Sequence, residues 1–168
     1  LLTDCMNYIG FDCFTLGNHE FDWGAKYINQ NRNIVSYNHQ TPFLAANIYN
    51  YDISNKKTLD YADLGDKYTI TTLDNGLKVG IIGVIGEEQI TSISSQYVDD
   101  YTFLDPSPII KELSDELRIE EGCDVVILSS HASQDQILKD NYGTGTDNAG
   151  IPKISKKSNK RLFRFRKK

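Results

Sequence analysis

The sequence predicts an α/β fold, a sheet with flanking helices, on three observations. The order helix-like segment, glycine, apolar run, histidine occurs twice: Gly10, Asp12 and His19 recur at the spacing of Gly122, Asp124 and His131, bracketing apolar runs at 11–16 and 125–128. Alternating residues 68–73 and the apolar run 77–85 flank Asp74-Asn75-Gly76, a strong hairpin signal. Asp105-Pro106-Ser107-Pro108 then opens a segment with Ile109, Ile110, Leu113 and Leu117 at helical spacing. With 168 residues and 39% apolar content, one domain with an ordinary core is expected.

Taken in order, Leu2 to Ile9 reads as the end of an amphipathic helix closed by Gly10. Residues 11–16, aromatic and β-prone, read as a buried strand, and Gly17 gives the backbone room to turn. A helix over 22–31 follows, with Trp23, Tyr27 and Ile28 on one face, Trp23 being read as core rather than substrate platform. The polar stretch 29–40 is a solvated connection in which His39 is assigned no role. Residues 42–46 form a short buried strand, with Asn47 closing an Asx-type turn at its exit. Residues 50–66 are polar and read as a loop.

Gly80, Gly83 and Gly86 lie within or at the end of a strand, and no Lys-Ser/Thr follows, so they are not a phosphate loop. Glu87, Glu88, Asp99 and Asp100 read as a solvated face. The helix from Asp105 ends at Gly122 and feeds the second histidine-bearing strand. Cys5, Cys13 and Cys123 are odd in number and lack a Cys-x-x-Cys pair, which favours small buried thiols over a disulfide framework or a zinc knuckle. No apolar run is long enough to span a membrane.

Chemistry concentrates at 17–22. A single histidine after a strand is commonly a hydrogen-bonded loop residue; this one is set apart by its company. Asn18 offers an amide oxygen, His19 an imidazole, and Asp22, about one helical turn on, a carboxylate able to orient the ring. If the two histidine-bearing strands run parallel in one sheet, both histidines emerge on one rim, as a shared metal site requires.

Gly17-Asn18-His19-Glu20-Phe21-Asp22 resembles the Gly-Asn-His-Glu-Phe-Asp signature of calcineurin-like metallophosphoesterases, and in this extended form their 5'-nucleotidase branch. The resemblance continues through Pro42 to Asn47, Leu77 to Gly83 and Val126 to His131, covering roughly Leu1 to Ile137. It implies a metallophosphoesterase-type sandwich with flanking helices. It further implies two divalent ions (Mn, Zn, Fe, Mg or Ca) in the intact parent, with Asn18 and His131 as ligands to one of them. His19 would stabilise charge on the phosphoryl group, paired with Asp22.

The pattern also departs from the family's. No Asp-x-His or Gly-Asp-x-x precedes Asn18, and the histidines, His19, His39 and His131, include no Gly-His-x-His. The chain is therefore expected to be a partial domain over 1–140, incomplete at both ends, with most ligands missing and little activity by itself. The implied activity of the parent is metal-dependent hydrolysis of a small nucleotide or other phosphate ester, foremost as a 5'-nucleotidase. A 2',3'-cyclic-nucleotide phosphodiesterase, a UDP-sugar hydrolase, or a catalytically dead surface module are the alternatives. The resemblance leans toward a secreted, periplasmic or cell-surface parent.

A short helix over 132–138 is expected, then a Gly/Thr-rich linker and basic tail over 141–168, read as disordered. Nine of the eighteen Lys and Arg residues lie beyond Pro152, leaving nine against twenty-three acidic residues and a body near −14. Phe163 and Phe165 between arginines are compatible with base stacking, yet no clear nucleic-acid partner follows from the tail.

Overall fold

Strand β6 (Lys78–Ile85) is the one on which the layers stack in the computed structural model of the chain, which describes residues 1–132. It is buried from Val79 to Ile85, as a continuous apolar strand covered on both faces should be. It pairs antiparallel with β5 (Tyr68–Thr72) across the expected turn, where Gly76 takes φ 82°. Its other edge pairs in parallel with β8 (Val125–His131), the second histidine-bearing strand.

The two faces of β6 meet different layers. On one, Ile82 and Val84 pack with Ile110, Leu113 and Leu117 of helix α3 (Pro106–Ile119), all at most 5% exposed. Each such side chain contributes about 1.5–3 kcal/mol of burial. Asp105 caps α3 by accepting the Ser107 N–H at 2.8 Å, and prolines occupy the first turn, where a missing N–H costs nothing.

On the other face, Val79 and Ile81 pack with Leu44, from a small parallel sheet of β1 (Phe14–Thr15) and β2 (Phe43–Leu44). Phe14 and Phe43 point the opposite way, into a core with Met6 of α1 (Leu2–Ile9) and Ile28 of α2 (Ala25–Arg32). The stacking order is helices, sheet, sheet, helix, an α/β sandwich. A third sheet, antiparallel, sets β3 (Ile48–Asp52) between β4 (Lys57–Tyr61) and β7 (Tyr101–Phe103).

α1 ends as expected, with Gly10 left-handed at φ 78° and its N–H bonded to the Met6 carbonyl. Several other expectations are corrected. β1 pairs only over two residues and Phe11 is 42% exposed, because the chain leaves the sheet before Phe14. The helix foreseen at Asp22 begins at Ala25; Asn18–Phe21 form a separate 3-10 turn, and Gly24 at φ 82° breaks between them. That break swings Trp23 outward, leaving it 75% exposed rather than in the core. His39 is not idle, since its Nε2 lies 2.9 Å from the Phe11 carbonyl and ties 33–40 to the lead-in of β1.

Residues 50–66 are no loop: β3 and β4 form a hairpin, with the Tyr49 and Tyr61 rings edge to face at 5.7 Å. Asn47 closes no Asx turn, since its wholly buried amide bonds Ile85 and Leu104 instead. The acidic stretch after Gly86 folds as 3-10 turns Glu87–Ser92 and Ser95–Tyr97. α3 stops at Ile119, short of Gly122, which still turns the chain at φ 67°. Of the three free thiols, Cys123 is buried, Cys13 half-buried and Cys5 exposed. The helix expected at 132–138 and the linker and tail over 141–168 lie outside the described residues.

Candidate functional site

The site forms where β1 and β8 end. The two strands do not share a sheet, contrary to the one-sheet condition; they belong to facing sheets joined by a Thr15 to Ser129 hydroxyl hydrogen bond of 2.8 Å. β2 holds the exit of β1, the Leu16 N–H donating to the Leu44 carbonyl at 3.0 Å. Beyond it Gly17 is extended (φ −117°, ψ −174°), so its role is not a tight turn. A Cβ there would stand 2.8–2.9 Å from the His131 ring, a contact real side chains do not make. Only glycine lets the imidazole lie against this backbone.

The next residue meets that ring. His131 Nε2 and Asn18 Oδ1 are 2.8 Å apart, although 113 positions separate them in the chain. The amide oxygen can only accept, so in this arrangement Nε2 carries the hydrogen and donates it. Asn18 is 8% exposed, and the Glu20 carboxylate fixes its turn by accepting the Gly17 N–H at 2.7 Å. On the opposite side Gly86 donates its N–H to the His131 carbonyl at 2.9 Å.

His19 and Asp22 stand beside this pair, with Nδ1 2.9 Å from Oδ2 and side chains 77% and 50% exposed. A pair this solvated adds little stability. Its effect is orientational: with Nδ1–H given to the carboxylate, the outer nitrogen is the one free to meet a ligand. A cavity of about 230 Å³ adjoins it, with His19, Glu20, Trp23 and Tyr27 among its walls.

All four residues singled out in the sequence thus gather at one end of the sandwich. The supporting parts played by Glu20 and Gly17 are less visible in the sequence. The Gly-x-x-Glu spacing of a helix cap was the available signal for Glu20, whereas the contact of Gly17 with a residue 114 positions away had none.

The donor set suits one side of a single divalent ion, an amide oxygen and an imidazole nitrogen converging on one point. It does not supply a two-ion centre: among the described residues no group of three or more His, Cys, Asp or Glu side chains is placed to hold a metal.

The α/β sandwich, with an Asn and a His meeting at its strand ends, is in keeping with the metallophosphoesterase class. The chain belongs to the calcineurin-like phosphoesterase family, which it matches over residues 4–161, and to its 5'-nucleotidase branch. It is 32% identical over 150 residues to Cell wall protein Lmo0130 of Listeria monocytogenes, covering 84% of this chain and 19% of that protein. It is 29% identical over 126 residues to a 5'-nucleotidase of Vibrio cholerae, covering 75% of this chain and 21% of the relative. The structure of the NAD nucleotidase of Haemophilus influenzae superposes with a TM-score of 0.59 at 28% identity, over 82% of this chain and 22% of that one. The chain therefore spans about a fifth of the length of these relatives. Members of the family use divalent metals.

Proposed function

We propose that the intact protein to which this chain belongs hydrolyses phosphate esters of nucleotides, as a 5'-nucleotidase, with divalent metal ions. In this reading Asn18 and His131 ligate one ion, and His19 with Asp22 stabilises charge on the phosphoryl group. The observation that carries it is the 2.8 Å approach of Asn18 Oδ1, in the turn after β1, to His131 Nε2, at the end of β8 in the facing sheet. Bound ions in such a centre clamp the phosphate and lower the pKa of a bound water.

The chain's own residues then do the following. Ligation through Nε2 would need its lone pair, so His131 would hold an ion as the Nδ1–H tautomer, its ring hydrogen on Nδ1 in place of Nε2 and the hydrogen bond to Asn18 Oδ1 given up. Asp22 holds His19 by Nδ1, which directs the other ring nitrogen toward a substrate, where negative charge develops. The name of the Vibrio relative supports a nucleotide monoester as substrate. The Listeria relative, a cell wall protein, supports an envelope or extracellular location, which cell fractionation checks.

Two variants of the full-length protein test the reading. His19→Ala should lower turnover of a 5'-mononucleotide by about 10²–10³-fold while bound Mn²⁺ stays near wild type. His131→Ala should deplete bound Mn²⁺. Metal loss in the first variant, or full occupancy in the second, would remove those roles. Comparing 5'-AMP with a 2',3'-cyclic mononucleotide distinguishes a monoesterase from a diesterase.

A further inference from the structure

We infer that Asn47 is a positioning residue for the metal-side histidine, acting on His131 through the end of β6. The inference rests on the reading of His131 as a ligand, and the geometry comes from Asn47 itself. Asn47 is 0% exposed, at the junction of the two main core clusters: Ala46 before it belongs to the one under α3, and Ile48 after it to the one under α1 and α2. A buried primary amide is costly unless its groups are bonded.

Its bonds go to one place with a functional neighbour. Asn47 Oδ1 accepts the Ile85 N–H at 3.0 Å, while Nδ2 donates to the Ile85 carbonyl at 2.7 Å and to the Leu104 carbonyl at 2.7 Å. One side chain thus holds both backbone groups of Ile85 and ties them to the lead-in of α3. Ile85 is the residue paired with His131 in the parallel register of β6 and β8. The next residue, Gly86, donates to the His131 carbonyl at 2.9 Å. Asn47, Ile85 and Gly86 are buried, and direct hydrogen bonds lead from them to the backbone of His131, which is itself exposed.

Without the amide, Ile85 is free to shift, and the last pairing of β8 shifts with it. The His131 ring has little tolerance, being pressed against Gly17 on one side and bonded to Asn18 on the other. Partners that orient a metal ligand are typically worth about 10–100-fold in affinity.

The test uses the full-length protein carrying Asn47→Ala, with Leu113→Ala as a destabilised control that touches the same sheet from α3 and lies outside the site. Two quantities are read below the melting temperature of both variants: the imidazole ¹⁵N signals of His131 in metal-free protein, and the Mn²⁺ dissociation constant. Asn47→Ala should move or broaden the His131 signals and raise the dissociation constant about 10–100-fold, whereas Leu113→Ala should leave both near wild type. If Asn47→Ala does not fold, Asn47→Ser, whose hydroxyl keeps one bond, carries the same measurement.

Unchanged signals and affinity in the Asn47 variant, or equal changes in both variants, would overturn the inference. His131→Ala separates the two levels. Retained Mn²⁺ there removes the ligand reading, while the ¹⁵N response of His131 to Asn47 still decides the positioning.

Discussion

Gly17 shows how a single residue carries more than its backbone. Its φ of −117° is open to any amino acid, so its requirement is steric, set by a His131 ring that occupies the space of a side chain. Gly17→Ala should cost about 1–3 kcal/mol through overpacking and push the imidazole away from Asn18. Urea unfolding measures the first effect and Mn²⁺ titration of the full-length protein the second; a variant wild-type in both would mean that the ring is not confined there. The neighbouring residues differed in how much the sequence disclosed. Asn18, His19 and Asp22 lie within five successive residues and are chemically distinctive, hence readable. His131 is reachable through the repeated glycine, aspartate and histidine spacing and through the family resemblance of Val126 to His131. Trp23 was misread because an aromatic at helical spacing usually packs inward, and the break at Gly24 could not be seen from composition.

At the scale of elements, β6 is legible because its physics is local. A continuous apolar run beside Asp-Asn-Gly demands a hairpin, and one buried on both faces demands small residues where layers come close. A Cβ on Gly80 would stand 2.9 Å from Leu117, and one on Gly83 would stand 2.2 Å from the Cβ of Leu44, so these glycines are packing residues. The β3–β4 hairpin was not legible, since Lys57–Tyr61 is largely exposed and its turn places Lys56 at φ 52° without a glycine. The contact between β5 and α3 has a measurable signature. Tyr68 donates to the Glu116 carboxylate at 2.8 Å, and this bond, helped by partial burial, pushes its phenol up to about 12. Because the folded-state value lies above the unfolded one of about 10, the contribution to stability is complete below pH 10 and is lost as pH rises toward 12. Tyr68→Phe should therefore flatten the alkaline fall in unfolding free energy between about pH 10 and 12. The slope should not vanish, because burial also raises Tyr61 and Tyr101. Denaturant unfolding as a function of pH checks this, and an identical alkaline limb in the variant would contradict it.

For the whole molecule, the question is what the layers can assemble from the residues they contain. The stacking brings together the strand ends of both facing sheets, and among the described residues the side chains that meet there are one amide and one imidazole. His39, the remaining histidine, is engaged with the Phe11 carbonyl, and His19 with Asp22. Among the described residues no group of three or more His, Cys, Asp or Glu side chains is placed to hold a metal, so two neutral donors would leave most of an ion's coordination to water. The acidic body, near −14 by sequence, will attract divalent cations from a distance, but that attraction is screened at about 0.15 M salt, whereas ligation is not. The 168-residue chain in 0.15 M salt should therefore bind Mn²⁺ at least ~100-fold more weakly than the full-length protein. Its turnover of a 5'-mononucleotide with added Mn²⁺ should likewise fall below about a hundredth of the full-length rate, a loss of roughly 2.7 kcal/mol or more in transition-state stabilisation. Calorimetric titration and a phosphate-release assay on the two proteins side by side decide the matter. Tight, salt-resistant binding by the short chain would mean that it completes a centre with donors beyond Asn18 and His131, and the assignment of those two as one side of a larger site would then have to be redrawn.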